Sequence, residues 1–277
     1  MRREDVLLAL EAIGRQPDDV IDVAEAALLL AALDAPDTDL TPYRRHLADL
    51  AADLADLAPS MSEALDSRVA ALRQVLAEKY DYTGDRRTYD DLANANLIHV
   101  IERRRGLPVA LGILYLHAAR AQGWRASGIN FPGHFLIAIE DEDEDERAIL
   151  DPFDRGSEID MPKLHQMLKA AMGPQAELQP DYYTTMTNRG VLLRLQNNIK
   201  KRVRDAGDNR QAALVMEGML AIAPLIPDLW REAAELHADL GELRSALQAL
   251  DRFLLLAEDG QRGEAIALRQ NLATRLN

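Results

Sequence analysis

Between Asn94 and Phe153 the hydrophobic period of the sequence changes, and that change restricts the fold more than any other feature. An amphipathic helix is predicted over 94–105. Gly106-Leu107-Pro108 breaks it, and a long apolar helix follows from Val109 to Gln122. Three short apolar runs come next, at 124–130, 134–140 and 147–150, each of strand length. Helices followed by a run of strands predict an α+β fold, a small antiparallel sheet packed on the helix that starts at Pro108. Two polar residues interrupt the apolar runs. His134 opens one strand in Pro132-Gly133-His134-Phe135, and Asp151 ends the next in Leu150-Asp151-Pro152-Phe153.

The rest of the chain is read as helical. Residues 1–80 form a predicted N-terminal segment of helices packed on the core. Asp18 and Asp19 open a helix that reaches Leu33, Thr41 and Pro42 open another, and Ser60 or Ser62 with Glu63 caps a fourth. The core spans 81–173, and the acidic run Glu140–Glu146 is a solvated hairpin tip within it. Gly173–Pro180 reads as a linker. In 181–277 a repeat emerges: Gly207 and Gly241, Ala212 and Ala246, and Leu220 and Leu254 share an offset of 34 residues. Trp230, Gly241 and Ala246 hold the relative positions of a tetratricopeptide (TPR) repeat. Helices are therefore predicted at 190–205, 208–223, 228–240 and 243–257, with a capping helix after 261.

Composition narrows the chemistry. Hydrophobic residues make up 48% and aromatics only 5%, so the core is mainly aliphatic. The net charge of −14 argues against nucleic-acid or anionic-membrane partners and mainly aids solubility; a protein partner is expected from the scaffold reading given below. Arg103-Arg104-Arg105 is read as a solvated helix end. The longest apolar run, Ala26–Leu33, is too short to span a membrane, and the acidic N-terminus lacks a signal-peptide core. A cytoplasmic protein is expected. The chain has no cysteine, which excludes disulfides, thiolate metal sites and thiol catalysis together. No cofactor or metal site is predicted.

Gly106-Leu107-Pro108-Val109-Ala110-Leu111, Pro132-Gly133-His134-Phe135 and Asp151-Pro152-Phe153, in that order, resemble the SirB-type transglutaminase-like proteins. The resemblance covers about residues 40–277. It implies a bacterial cytoplasmic protein with a papain-like core, a short TPR tail and links in places to gene regulation. In such a core a nucleophilic Cys begins the helix, and the His and Asp lie on adjacent strands. His134 and Asp151 stand at the family's His and Asp positions. The nucleophile position near Pro108 is empty, since Leu107, Pro108, Val109 and Ala110 cannot attack a carbonyl.

Ser127 and Ser157 are the nearest hydroxyls in sequence to the His and Asp motifs, and neither begins the helix. Without a nucleophile, His134 and Asp151 are read as a polar clasp between strands, beside a cleft formed by Asn94, Gly106, Leu107, Pro108 and Gly133. Asn94 and Asn96 are assigned as helix caps. The expected function is that of a non-catalytic scaffold or regulator acting through protein contacts. The alternative is a hydrolase or ligand-binding protein that uses the His134–Asp151 pair without a Cys nucleophile, the carboxylate fixing the imidazole tautomer.

Overall fold

The computed structural model describes residues 1–57, 64–141 and 146–276. The proposed caps at Ser60, Ser62 and Glu63, and most of the acidic hairpin tip, lie outside the described residues. By internal contact the chain forms two compact units. One is Met1–Arg3 with Pro17–Leu195, and the other is Glu4–Gln16 with Gln196–Asn277. The division therefore falls neither near residue 80 nor in 173–180. The first helix, α1 (Arg3–Gly14), groups with the C-terminal helices, and the segment 173–180 lies inside the first unit.

In the first unit a 3₁₀ turn at Asp18–Val20 precedes α2 (Val23–Asp34). The carboxylate of Asp22 caps α2 by accepting from the amides of Ala24 and Glu25. The helix start predicted at Asp18–Asp19 is thus displaced to Val23. Then come α3 (Thr41–Leu57), α4 (Leu65–Leu72), β1 (Thr83–Gly84), α5 (Leu97–Arg103) and β2 (Arg105–Gly106). The long apolar helix follows as α6 (Pro108–Ala121). After it the chain forms β3 (Arg125–Ile129), β4 (Leu136–Glu140), β5 (Arg147–Asp151), β6 (Ser157–Glu158) and α7 (Met161–Met172).

The architecture is α+β. Strands β3 to β6 make one antiparallel sheet in sequence order, and β1 and β2 form a separate parallel pair. Both faces of the sheet are covered, which is why β4 reads as a continuous apolar run and not an alternation. On one face Ile129, Leu136, Ala138 and Ile149 pack with Leu164 and Leu168 of α7. On the other, Phe135 and Ile137 approach α6 so closely at Gly112 that a Cβ there would overlap the Phe135 ring. Every residue of α6 from Pro108 to Leu116 is buried. Burying each Leu or Ile side chain contributes about 1.5–3 kcal/mol, and this layer holds the unit together.

The second unit contains α1, the end of α8 (Asn188–Asp205), α9 (Asn209–Ile222), α10 (Pro227–Asp239), α11 (Leu243–Leu256) and α12 (Arg262–Leu276). These helices begin and end within about two residues of the predicted positions. The 34-residue offset is visible in the turns. Gly207 and Gly241 both take positive φ, +78° and +75°. In each turn the next amide reaches back to close the helix end: Asp208 to the Val203 carbonyl, Glu242 to that of His237. Ala212 and Ala246, the matched small residues, are both fully buried. Gly14 of α1 lies against the Ala221 carbonyl of α9, an approach that excludes any side chain.

Candidate functional site

His134 does not lie on β4. It sits two residues ahead of it, in a turn that Gly133 makes possible with φ +71° and that the His134 amide closes onto the Phe131 carbonyl at 3.0 Å. Asp151 is the last residue of β5. Because β4 and β5 are antiparallel, with Ile137 opposite Leu150, the turn before β4 and the end of β5 come to the same edge. His134 Nε2 lies 2.9 Å from Asp151 Oδ1. The carboxylate assigns the proton to Nε2 and leaves Nδ1 as the basic nitrogen. Among the described residues Asp151 is the imidazole's only hydrogen-bond partner.

The same Asp151 oxygen accepts the Phe153 amide at 2.9 Å and so caps the 3₁₀ turn Pro152–Asp154. Phe153 is the hub of the site. Its ring meets the His134 ring edge to face at 6.0 Å and that of Tyr89 at 5.8 Å, and the Arg86 guanidinium lies 5.1 Å from its centre. It also covers Gly84, where a Cβ would overlap it. Gly84 pairs in register with Gly106, which leads directly into α6. Phe153 and Gly84 thereby link the His–Asp pair to the strand before the helix start.

Asn94 is wholly buried at the end of the 3₁₀ turn Leu92–Asn94. It caps no helix; that role belongs to Asn96, whose side chain accepts from Ile98 and His99. Asn94 instead holds the loop, its amide donating to the Thr88 carbonyl at 2.6 Å, while its own carbonyl accepts from Leu107 at 2.8 Å. Thr88's hydroxyl and amide, with the Arg87 amide, hold the Asp85 carboxyl down to about 2 and order the loop carrying Arg86 and Tyr89. At the helix start, Leu107 and Val109 are each 1% exposed, and Pro108 and Ala110 are buried. Ser157 lies opposite Asp151 in the ladder, but its hydroxyl donates to Asp154. Ser127 is on β3, opposite Ala138.

Nothing local in the sequence gives Phe153, within its Asp151-Pro152-Phe153 motif, or Gly84 and Tyr89 a part in the site, since no local signal marks an aromatic that stacks across four segments. Sequence reasoning misread the arginine triplet. Arg103 pairs with Asp85 and Asp91, and Arg105 with Asp81. Arg104, at φ +57°, places its guanidinium on His46 and Tyr82. His99 and His117 have separate partners, Glu102 and the Leu47 carbonyl.

This frame, a buried helix followed by antiparallel strands that carry a bonded His and Asp at one edge, has a counterpart among known sequences. Residues 41–197 match the profile of the transglutaminase-like superfamily. The chain belongs to that superfamily. A UPF0162 protein of Xylella fastidiosa is 27% identical over 257 residues, covering 91% of this chain and 90% of that protein. A UPF0162 protein of Vibrio cholerae is 31% identical over 63% of each chain. F-box only protein 21 of Homo sapiens is 28% identical over half of this chain and a quarter of its own length. In this transglutaminase-like chain the described helix start offers no thiol and no hydroxyl. No helix among the described residues is long and apolar enough to cross a membrane.

Proposed function

We propose that this is a SirB-type, non-catalytic member of the transglutaminase-like superfamily, with a TPR-like tail, acting in the cytoplasm as a scaffold or regulator through protein contacts. One observation carries the reading: the start of α6, where a nucleophile would stand, is closed by buried apolar side chains, Leu107 and Val109 among them. In such a site His134 and Asp151 act as a polar clasp that ties the turn before β4 to the end of β5. The repeated helix-closing turns at Gly207 and Gly241 support the TPR-like assignment of the tail. Four helices in that pattern, extended by α12, suit recognition of another protein better than turnover of a small molecule.

The second reading is a hydrolase in which the imidazole activates water. Its support is that the His134 side chain keeps 19% of its surface exposed while Asp151 keeps 9%. One assay separates the two. The full chain is incubated with activated esters and with glutamine-donor and amine-acceptor pairs, beside His134→Ala. No turnover above the variant is expected, and partners captured from lysate should be the same for both. Turnover that disappears in His134→Ala would refute the non-catalytic reading.

A further inference from the structure

A cleft of about 800 Å³ runs along β3, and His134 is not among the residues that line it. It is lined by Trp124–Ser127, by the Asp18–Val20 turn and the start of α2, and by Leu116, His117 and Arg120 of α6. The volume is within the range of ligand sites, about 300–1,000 Å³.

β3 is an edge strand, and its outward main-chain groups can be assigned by parity. The Gly128 carbonyl accepts the Met186 amide at 2.7 Å, and Ile129 bridges antiparallel to Thr185. Gly128 therefore faces away from β4, and so does Ala126, two residues earlier. The Ala126 carbonyl agrees, accepting from Arg120 Nε at 2.9 Å. The Ala126 amide points the same way, into the cleft. The chain's own segment 185–186 already pairs with one end of this edge. It turns away into α8 at Asn188, and the cleft opens where it leaves.

The cleft's charge selects an occupant. Four carboxylates line it (Asp18, Asp19, Asp22 and Glu140) against two guanidiniums, Arg120 and Arg125. Arg120 is committed to Ala126 and to Asn188 Oδ1 at 2.9 Å, and Arg125 stands opposite Glu140 in the ladder. Asp18 is committed to the start of α8 and Asp22 Oδ1 to the cap of α2, so Asp19 and the capped Asp22 carry the remaining negative charge on that side. We infer that this cleft binds an extended, basic segment of another protein as an added strand against β3, paired through the Ala126 amide. A second copy of the chain is disfavoured because it would bring acidic wall against acidic wall in a molecule of net charge −14.

The test uses the full chain and two fluorescein-labelled heptapeptides, one alternating lysine with valine and one alternating glutamate with valine, read by anisotropy. The lysine peptide should bind about ten-fold or more tighter than the glutamate peptide. Ala126→Pro removes the outward amide without taking a bond from β4 and should weaken binding by about ten-fold. Asp19→Asn with Asp22→Asn, which keeps the cap oxygen of α2, should bring the two peptides to similar affinity. If the proline variant does not fold, slowed amide exchange at Ala126 of the wild-type chain on adding the lysine peptide gives the same information. Absence of binding, equal binding of both peptides, unchanged exchange at Ala126, or a dimer lost in Ala126→Pro would each overturn the inference. Catalysis at His134 alters none of these readouts, so this test and that of the proposed function fail separately.

Discussion

His46 should make the stability of the first unit depend on pH. Its Nε2 lies 2.7 Å from the Tyr82 hydroxyl and 2.7 Å from an Arg104 nitrogen, and Arg104 also contacts Tyr82. A guanidinium can only donate, so Nε2 must be an unprotonated acceptor. Burial, and then the Arg104 charge, pull the His46 pKa from 6.5 to about 4. Between those values the unfolded chain binds a proton that the folded chain refuses. Stability is therefore fully present above pH 6.5 and is lost as the pH falls toward 4. The difference corresponds to about 3 kcal/mol. Because the ring is only half-buried, solvent screening reduces this to about 1–2 kcal/mol. His46→Gln keeps an acceptor for Arg104 but cannot titrate. Urea unfolding of both proteins at about pH 7.5 and about pH 4.5 should show the wild type losing about 1–2 kcal/mol more than the variant. Carboxylates titrate in both proteins and cancel in the comparison. Parallel losses would refute the claim that His46 is held neutral.

Two further substitutions test the packing and the clasp. Gly112→Ala places a methyl group into the Phe135 ring, fully buried between α6 and β4, and should lower stability by about 1–3 kcal/mol in denaturant unfolding. Asp151→Ala removes both the imidazole's partner and the cap of the Pro152–Asp154 turn. A loss of about 2–3 kcal/mol is expected, with slower-migrating or partly unfolded species seen by thermal melt and limited proteolysis.

What the sequence disclosed, and what it withheld, follows the range of the interactions. The apolar run of α6, the strand-length segments after it and the glycine turns at 207 and 241 are local signals, and each appears close to where it was read. The approach of His134 to Asp151 is also legible, because two short antiparallel strands adjacent in sequence leave few other registers. The His46 cluster was not: its partners lie 36 and 58 residues away, and no periodicity ties a histidine on α3 to a left-handed arginine after α5. The same holds for α1, whose short amphipathic sequence says nothing about which helices it packs with. Gly14 acquires meaning only beside the Ala221 carbonyl. Residue type makes Asn94 a cap candidate, whereas burial and a six-residue loop closure decide its role.

A single oxygen atom, Asp151 Oδ1, receives both the imidazole and the amide of Phe153. The two bonds share one acceptor, so the orientation of His134 and the turn after β5 rest on the same atom. With the imidazole drawn away, the Phe153 amide would be left as the donor to that oxygen. The ring that this turn carries rests on Gly84, in the short parallel ribbon from which the buried central helix departs.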